Sequence, residues 1–77
     1  MKFQAELTDL FCGEANYGWV HRVEFELPGN ATDRQIITRG KAELGLTGLR
    51  CRRLDYGEGF ELRPLGLHQV AFILPIY

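Results

Sequence analysis

Polar and apolar residues alternate from the start of the chain. Phe3, Ala5 and Leu7 fall on one side, and Lys2, Gln4, Glu6 and Thr8 on the other, which predicts a half-buried strand over residues 2–8. The alternation returns over residues 19–27, with Trp19, His21, Val23, Phe25 and Leu27 set against Val20, Arg22, Glu24 and Glu26. Gly13-Glu14-Ala15-Asn16-Tyr17-Gly18 lies between the two runs and reads as the loop of a wide hairpin. Pro28-Gly29-Asn30 ends the second run. Thr32 stands three residues before Gln35, the spacing of a capping box, and predicts a helix from about 33 to 45. Ile36, Ile37, Gly40 and Leu44 share one helical face, while Arg34, Thr38, Arg39, Lys41 and Ala42 lie opposite. Glycine inside a helix costs about 1 kcal/mol relative to alanine. Gly40 on the apolar face therefore predicts a close approach of the helix backbone to the sheet. Gly45 or Gly48 supplies the left-handed stop.

A second hairpin is expected from residues 49–56 and 60–65 around Gly57-Glu58-Gly59. With a three-residue loop, Tyr56 faces Phe60 and Leu54 faces Leu62. Leu49 and Cys51 have the opposite parity, so bringing all of these inward requires a β-bulge near Arg52-Arg53. In the last segment, residues 69–77, both parities are apolar. That suits a strand that is central or covered on both faces, with pairing interrupted near Pro75. The order is ββαβββ. The expected fold is a single α+β domain over residues 1–77, a largely antiparallel five-stranded sheet with one helix packed on one face.

Composition narrows the function classes. The hydrophobic share of 45% and the net charge of -1 suit a folded domain with no general attraction to nucleic acid or anionic membrane. No apolar run is long enough for a membrane span and the N-terminus lacks an apolar leader core, so a cytoplasmic protein is expected. Cys12 and Cys51 are too few for a disulfide scaffold. The chain has no serine, which removes serine nucleophiles, and nothing in the sequence sets a base beside either cysteine. Cys12, His21, Cys51 and His68 are too widely spaced for a structural zinc knuckle. Gly57-Glu58-Gly59 lacks the strand–loop–helix setting of a phosphate loop. A non-enzymatic binding module without cofactor or metal is the expectation.

Two surface candidates remain. Arg50, Arg52 and Arg53, with Arg63 across the hairpin, form the densest charge signal. They suit an acidic protein partner, since arginine is enriched at interface hot spots, or nucleic-acid phosphates. The bland alternative is a charged strand surface paired with nearby glutamates and aspartates. Tyr17 and Trp19, beside Gly18, are interface-type residues, although Trp19 also suits the end of the core. Ala71 and Ile73, if left uncovered, would make an apolar stripe through which the C-terminal strand could pair two chains.

Gly13-Glu14-Ala15-Asn16-Tyr17-x-Trp19-Val20-x-Arg22, Asp33-Arg34-x-Ile36 and Leu44-Gly45-Leu46-Thr47-Gly48-x-Arg50-Cys51-Arg52 resemble a pattern of small accessory proteins of temperate bacteriophages and prophages. The resemblance spans nearly the whole chain. It implies a phage-type protein in the host cytoplasm that modulates a host process by binding a host protein. Pilus-dependent superinfection exclusion and CRISPR inhibition are the outcomes it suggests. Tyr17, Trp19, Arg50, Arg52 and Arg53 are the expected contact residues. The alternative is a small nucleic-acid-binding regulator that uses the arginine strand.

Overall fold

The first two strands extend well beyond their clean alternation. A computed structural model covers residues 1–77. In it β1 (Lys2–Phe11) and β2 (Glu14–Glu26) form one long antiparallel hairpin. Cys12 and Gly13 turn the chain alone, with φ of 53° and 81°. Positive φ at both central residues is the type I′ geometry, whose twist matches that of the strands. The wide loop expected over residues 13–18 is therefore ladder instead. Its irregular composition is absorbed by a register shift between Thr8 and Leu10. There the Asp9 carboxylate accepts from Asn16 Nδ2 and from the Gly18 N–H, both at 2.9 Å. Tyr17 sits at φ 56° beside this bulge, and its N–H donates to Thr8 Oγ1.

The helix α1 (Asp33–Glu43) follows as the sequence requires. Thr32 and Gln35 exchange both bonds of the capping box. Gly45 at φ 74° ends the helix in a Schellman turn: Leu46 N–H donates to Lys41 O and Gly45 N–H to Ala42 O. Ile36, Gly40 and Leu44 are buried against the sheet. A Cβ at Gly40 would run into the side chain of Ile73, so the close approach is real.

β3 (Cys51–Tyr56), β4 (Gly59–Pro64) and β5 (Gln69–Ile76) complete an antiparallel sheet of order β2-β1-β5-β4-β3. The second hairpin departs from expectation by one residue. Tyr56 pairs with Gly59, Leu54 with Glu61 and Arg53 with Leu62, around a two-residue turn that starts at Gly57 with φ 60°. A one-residue slip moves every side chain to the other face. Leu54 and Tyr56 therefore lie opposite to Phe60 and Leu62, and no bulge is needed at Arg52-Arg53. Gly59 belongs to the strand, not the turn, because the Leu74 side chain occupies the space a Cβ would take.

The core lies between α1 and one sheet face: Phe3, Ala5, Leu7, Phe25, Phe60, Leu62, Ala71 and Ile73. Phe3 stacks on Phe25 with ring centroids 5.5 Å apart. β5 is central, with neighbours on both sides. Ala71 and Ile73 are 0% exposed, so the stripe they would have formed does not exist. Pro75 stays paired with Phe3, and the β4 pairs stop before it, at Phe60 and Ile73. No helix is long and apolar enough to cross a membrane.

Candidate functional site

The sheet face away from α1 carries no covering element. In an antiparallel sheet such a face is usually polar. Here its middle is not: Phe72, Leu74 and Ile76 of β5 share the face with Leu54 and Tyr56 of β3, on the far side of β4. Leu54 and Leu74 are 53% and 46% exposed. This follows directly from β5 being apolar in both parities: one parity feeds the core and the other faces out.

Two buried carboxylates frame Phe72. Glu6 of β1 and Glu61 of β4 are both its direct cross-strand partners, one on each side. They are only 9% and 5% exposed, and Thr8 and Val70, the next pair along the same face, are 0% exposed, so side chains close that end of the face. Each carboxylate is covered and neutralised by its own tyrosine and arginine. Glu6 accepts from Tyr17 Oη at 2.7 Å and from Arg22 Nε at 2.6 Å. Glu61 accepts from Tyr56 Oη at 3.0 Å and from Arg63 Nε at 2.9 Å. No buried side-chain polar atom in the molecule lacks a partner. Hydrogen bonds to charged groups contribute roughly 1.5–3 kcal/mol each, and breaking a buried pair costs more than it contributes. Each frame therefore satisfies its buried carboxylate with two hydrogen bonds from half-exposed side chains. The frames also push both tyrosine hydroxyls above the usual phenol range, because each donates to a carboxylate.

Charge on this face balances. Lys2, Arg22, Arg52 and Arg63 stand against Glu6, Glu24, Glu26 and Glu61. What it offers is a near-neutral surface, apolar in the middle, with aromatic hydroxyls and guanidinium groups hydrogen-bonded around it. Tyrosine and arginine are the residue types that dominate binding hot spots.

The five residues expected at a contact surface are not brought together. Tyr17 and Arg52 lie on the open face. Arg53, one position along, points to the helix side, where it pairs with Asp55 at 2.7 Å and Asp33 at 3.4 Å and sits 5.0 Å from the Phe60 ring centroid. Arg50, in the turn before β3, lines the gap between β3 and α1 with Arg53. Trp19 is on edge strand β2 with the parity of His21 and Val23 and is 43% exposed, outside the core. Sequence reasoning missed Tyr56, Glu61, Arg63, Phe72 and Leu74. The second parity of β5 carried the signal for Phe72 and Leu74. The others needed the true hairpin register.

Neither cysteine is in a disulfide: Cys12 is exposed in its turn, and half-buried Cys51 donates its thiol to Leu49 O at 3.8 Å. No three His, Cys, Asp or Glu side chains converge to hold a metal ion. No protein-family model matches the chain, and no curated protein or solved structure is significantly similar to it.

Proposed function

We propose that this chain is a non-enzymatic accessory protein of the temperate-phage type, which modulates a host process by stoichiometric binding of a host protein to the open sheet face. One observation carries the reading: a face with no helix or strand over it, whose apolar residues Phe72 and Leu74 sit at its centre, Phe72 between two tyrosine–glutamate–arginine frames and Leu74 next along the strand. The matched charges suit a largely neutral partner surface rather than a polyanion. The phage setting, with pilus assembly and CRISPR effectors as the host systems to examine first, comes from the sequence resemblance. In the nucleic-acid alternative the open face would contribute only Arg52 of the three arginines, since Arg50 and Arg53 line the gap beside α1.

The test is reconstitution with purified host proteins recovered by affinity capture. Leu74→Glu and Tyr17→Ala should abolish or weaken a one-to-one complex while the far-UV circular dichroism stays native. Unchanged affinity in both variants refutes the open face as the site. A chain that dimerises through this face, seen by light scattering and broken by Leu74→Glu, would make the occupant a second copy and overturn the host-protein reading. Binding of DNA or RNA that weakens steeply with salt would favour the nucleic-acid alternative.

A further inference from the structure

The helix does not span the whole sheet. α1 packs chiefly over β1, β2 and β5, and leaves a groove between itself and the β3–β4 hairpin. The groove has a volume of about 540 Å³. Ile37 and Leu62 contribute its apolar floor, and Arg34, Lys41, Arg50 and Arg53 its rim. No carboxylate lines it. Asp33 and Asp55 stand nearby, both bound to Arg53. Four cations against two carboxylates leave a positive groove on a chain whose net charge is -1. Arg34 and Arg50 have no ion-pair partner at all.

One wall of this groove is an edge strand. β3 ends the sheet and pairs only with β4. Its hydrogen-bonding phase follows from one bond, Leu65 N–H to Arg50 O at 2.9 Å, between residues that extend the β3–β4 register. In an antiparallel pair, bonded and non-bonded positions alternate. Arg52, Leu54 and Tyr56 therefore spend their backbone groups on β4. The N–H and C=O groups of Cys51, Arg53 and Asp55 point outward, to the free edge. Pro64, which has no N–H, stands opposite Cys51, a non-bonded position where none is needed. The side chains of the same three residues face the helix side. Free backbone groups and a cationic groove thus lie along one line.

We propose that this groove binds an extended acidic segment of a partner protein, which adds to β3 as a sixth strand and sets its carboxylates against Arg34, Arg50 and Arg53. Main-chain bonds supply affinity in such strand addition, and the side-chain groove supplies selectivity. The charge of the edge decides which strand it accepts. Arg50, Arg52 and Arg53 repel a second copy of β3, which protects the edge from pairing with itself. An acidic strand meets no such barrier. The site lies on the opposite side of the sheet from the proposed host-protein face and stands or falls independently of it.

The probe is a short blocked peptide alternating glutamate with valine, titrated into the full chain and followed by amide NMR and hydrogen exchange. Exchange at Cys51, Arg53 and Asp55 should slow by about tenfold or more at saturation, while Arg52, Leu54 and Tyr56 change little. Arg34→Glu with Arg50→Glu should weaken binding by about tenfold or more. These two arginines hold no native ion pair, so the fold should persist, and Leu74→Glu should have no effect on this peptide. The lysine-for-glutamate peptide and a peptide with proline at alternate positions should fail to bind. No binding, or binding without protection of the three amides, overturns the proposal. So does equal or tighter binding of an oligothymidylate of matched charge, which would make the groove a phosphate-backbone site.

Discussion

Gly40→Ala should destabilise this protein, against the general rule for helices. In an exposed helix the change stabilises by about 1 kcal/mol. At Gly40 the new methyl would overlap Ile73 Cδ1 and lie 3.0 Å from Cγ1. Ile73 is 0% exposed and belongs to the core cluster, so moving its end aside disturbs the side chains packed round it. The alternative, lifting α1, loosens Ile36 and Leu44 from the core. Overpacking of this kind costs roughly 1–3 kcal/mol. With about 2–3 kcal/mol for this direct overlap, less the helix gain, the net loss is about 1–2 kcal/mol. For a chain of this size that lowers Tm by roughly 5–12 °C. The assay is thermal and urea unfolding by circular dichroism of four proteins: wild type, Gly40→Ala, Ile73→Val and the double variant. Ile73→Val alone should cost about 0.5–1.5 kcal/mol. It deletes the atom nearest the new methyl, so Gly40→Ala should become neutral or stabilising in that background. The coupling of about 1–2 kcal/mol then exceeds the ~0.5 kcal/mol scatter of independent sites. A higher Tm for Gly40→Ala in the wild-type background would refute the close approach of α1 to β5.

Three further outcomes follow from local geometry. Cys12→Asn should stabilise the first hairpin by about 0.5–1 kcal/mol, because asparagine tolerates the left-handed φ of 53° better than cysteine; a drop in Tm would contradict the type I′ turn. Gly18→Ala should destabilise by about 1–2 kcal/mol, since its Cβ would meet Asp9 Oδ2 at 3.0 Å and displace the carboxylate that braces the bulge; an unchanged urea midpoint would argue against that brace. In a spectrophotometric titration Tyr17, Tyr56 and Tyr77 should all ionise above the ordinary value near 10, because their hydroxyls donate to Glu6, Glu61 and Glu58. A pKa raised in the folded state means that this stabilisation is complete below pH ~10 and is lost as pH rises through the folded values. Glu6→Gln and Glu61→Gln should each return one tyrosine toward the ordinary range, and a wild-type curve centred at 10 would exclude the bonds.

The element order and the helix were legible because each rests on a local signal. Thr32 and Gln35 mark the start of α1, Gly45 its end, and Ile36, Gly40 and Leu44 its inner face. The central place of β5 was legible in its double apolar parity. Two features were not. The type I′ turn at Cys12-Gly13 puts cysteine where asparagine or aspartate usually signals a hairpin, so the glycine-rich stretch after it passed for the loop. In the second hairpin, either a two-residue or a three-residue turn fits Gly57-Glu58-Gly59. The choice is made by Leu74, a residue from another strand, which lies over Gly59. Local sequence carries no trace of that contact. The single-residue error then hid the site: with Leu54 and Tyr56 assigned inward, the open face loses all of its apolar and aromatic residues on β3.

That register also decides what the arginine cluster means. Successive side chains of a strand point to opposite faces. Arg52 and Arg53, adjacent in sequence, therefore belong to different surfaces: Arg52 to the open face and Arg53 to the α1–β3 groove. Charge reversal at each is the sharpest separation of the two proposed contacts. Arg52→Glu should reduce host-protein binding and leave the acidic peptide largely unaffected. It also sets a carboxylate opposite Arg63, replacing a like-charged cross-strand pair with an opposite one, so stability should hold or rise by a few tenths of a kcal/mol, within the range of ~0.2–1 kcal/mol for such pairs. Arg53→Glu should do the reverse in binding. It should also lower stability, because it removes the contact with Phe60 and leaves Asp33 and Asp55 facing a third carboxylate. If both variants lost both activities with the fold intact, the two faces would not be independent. The cluster would then act as one patch, as its spacing in the sequence first suggests.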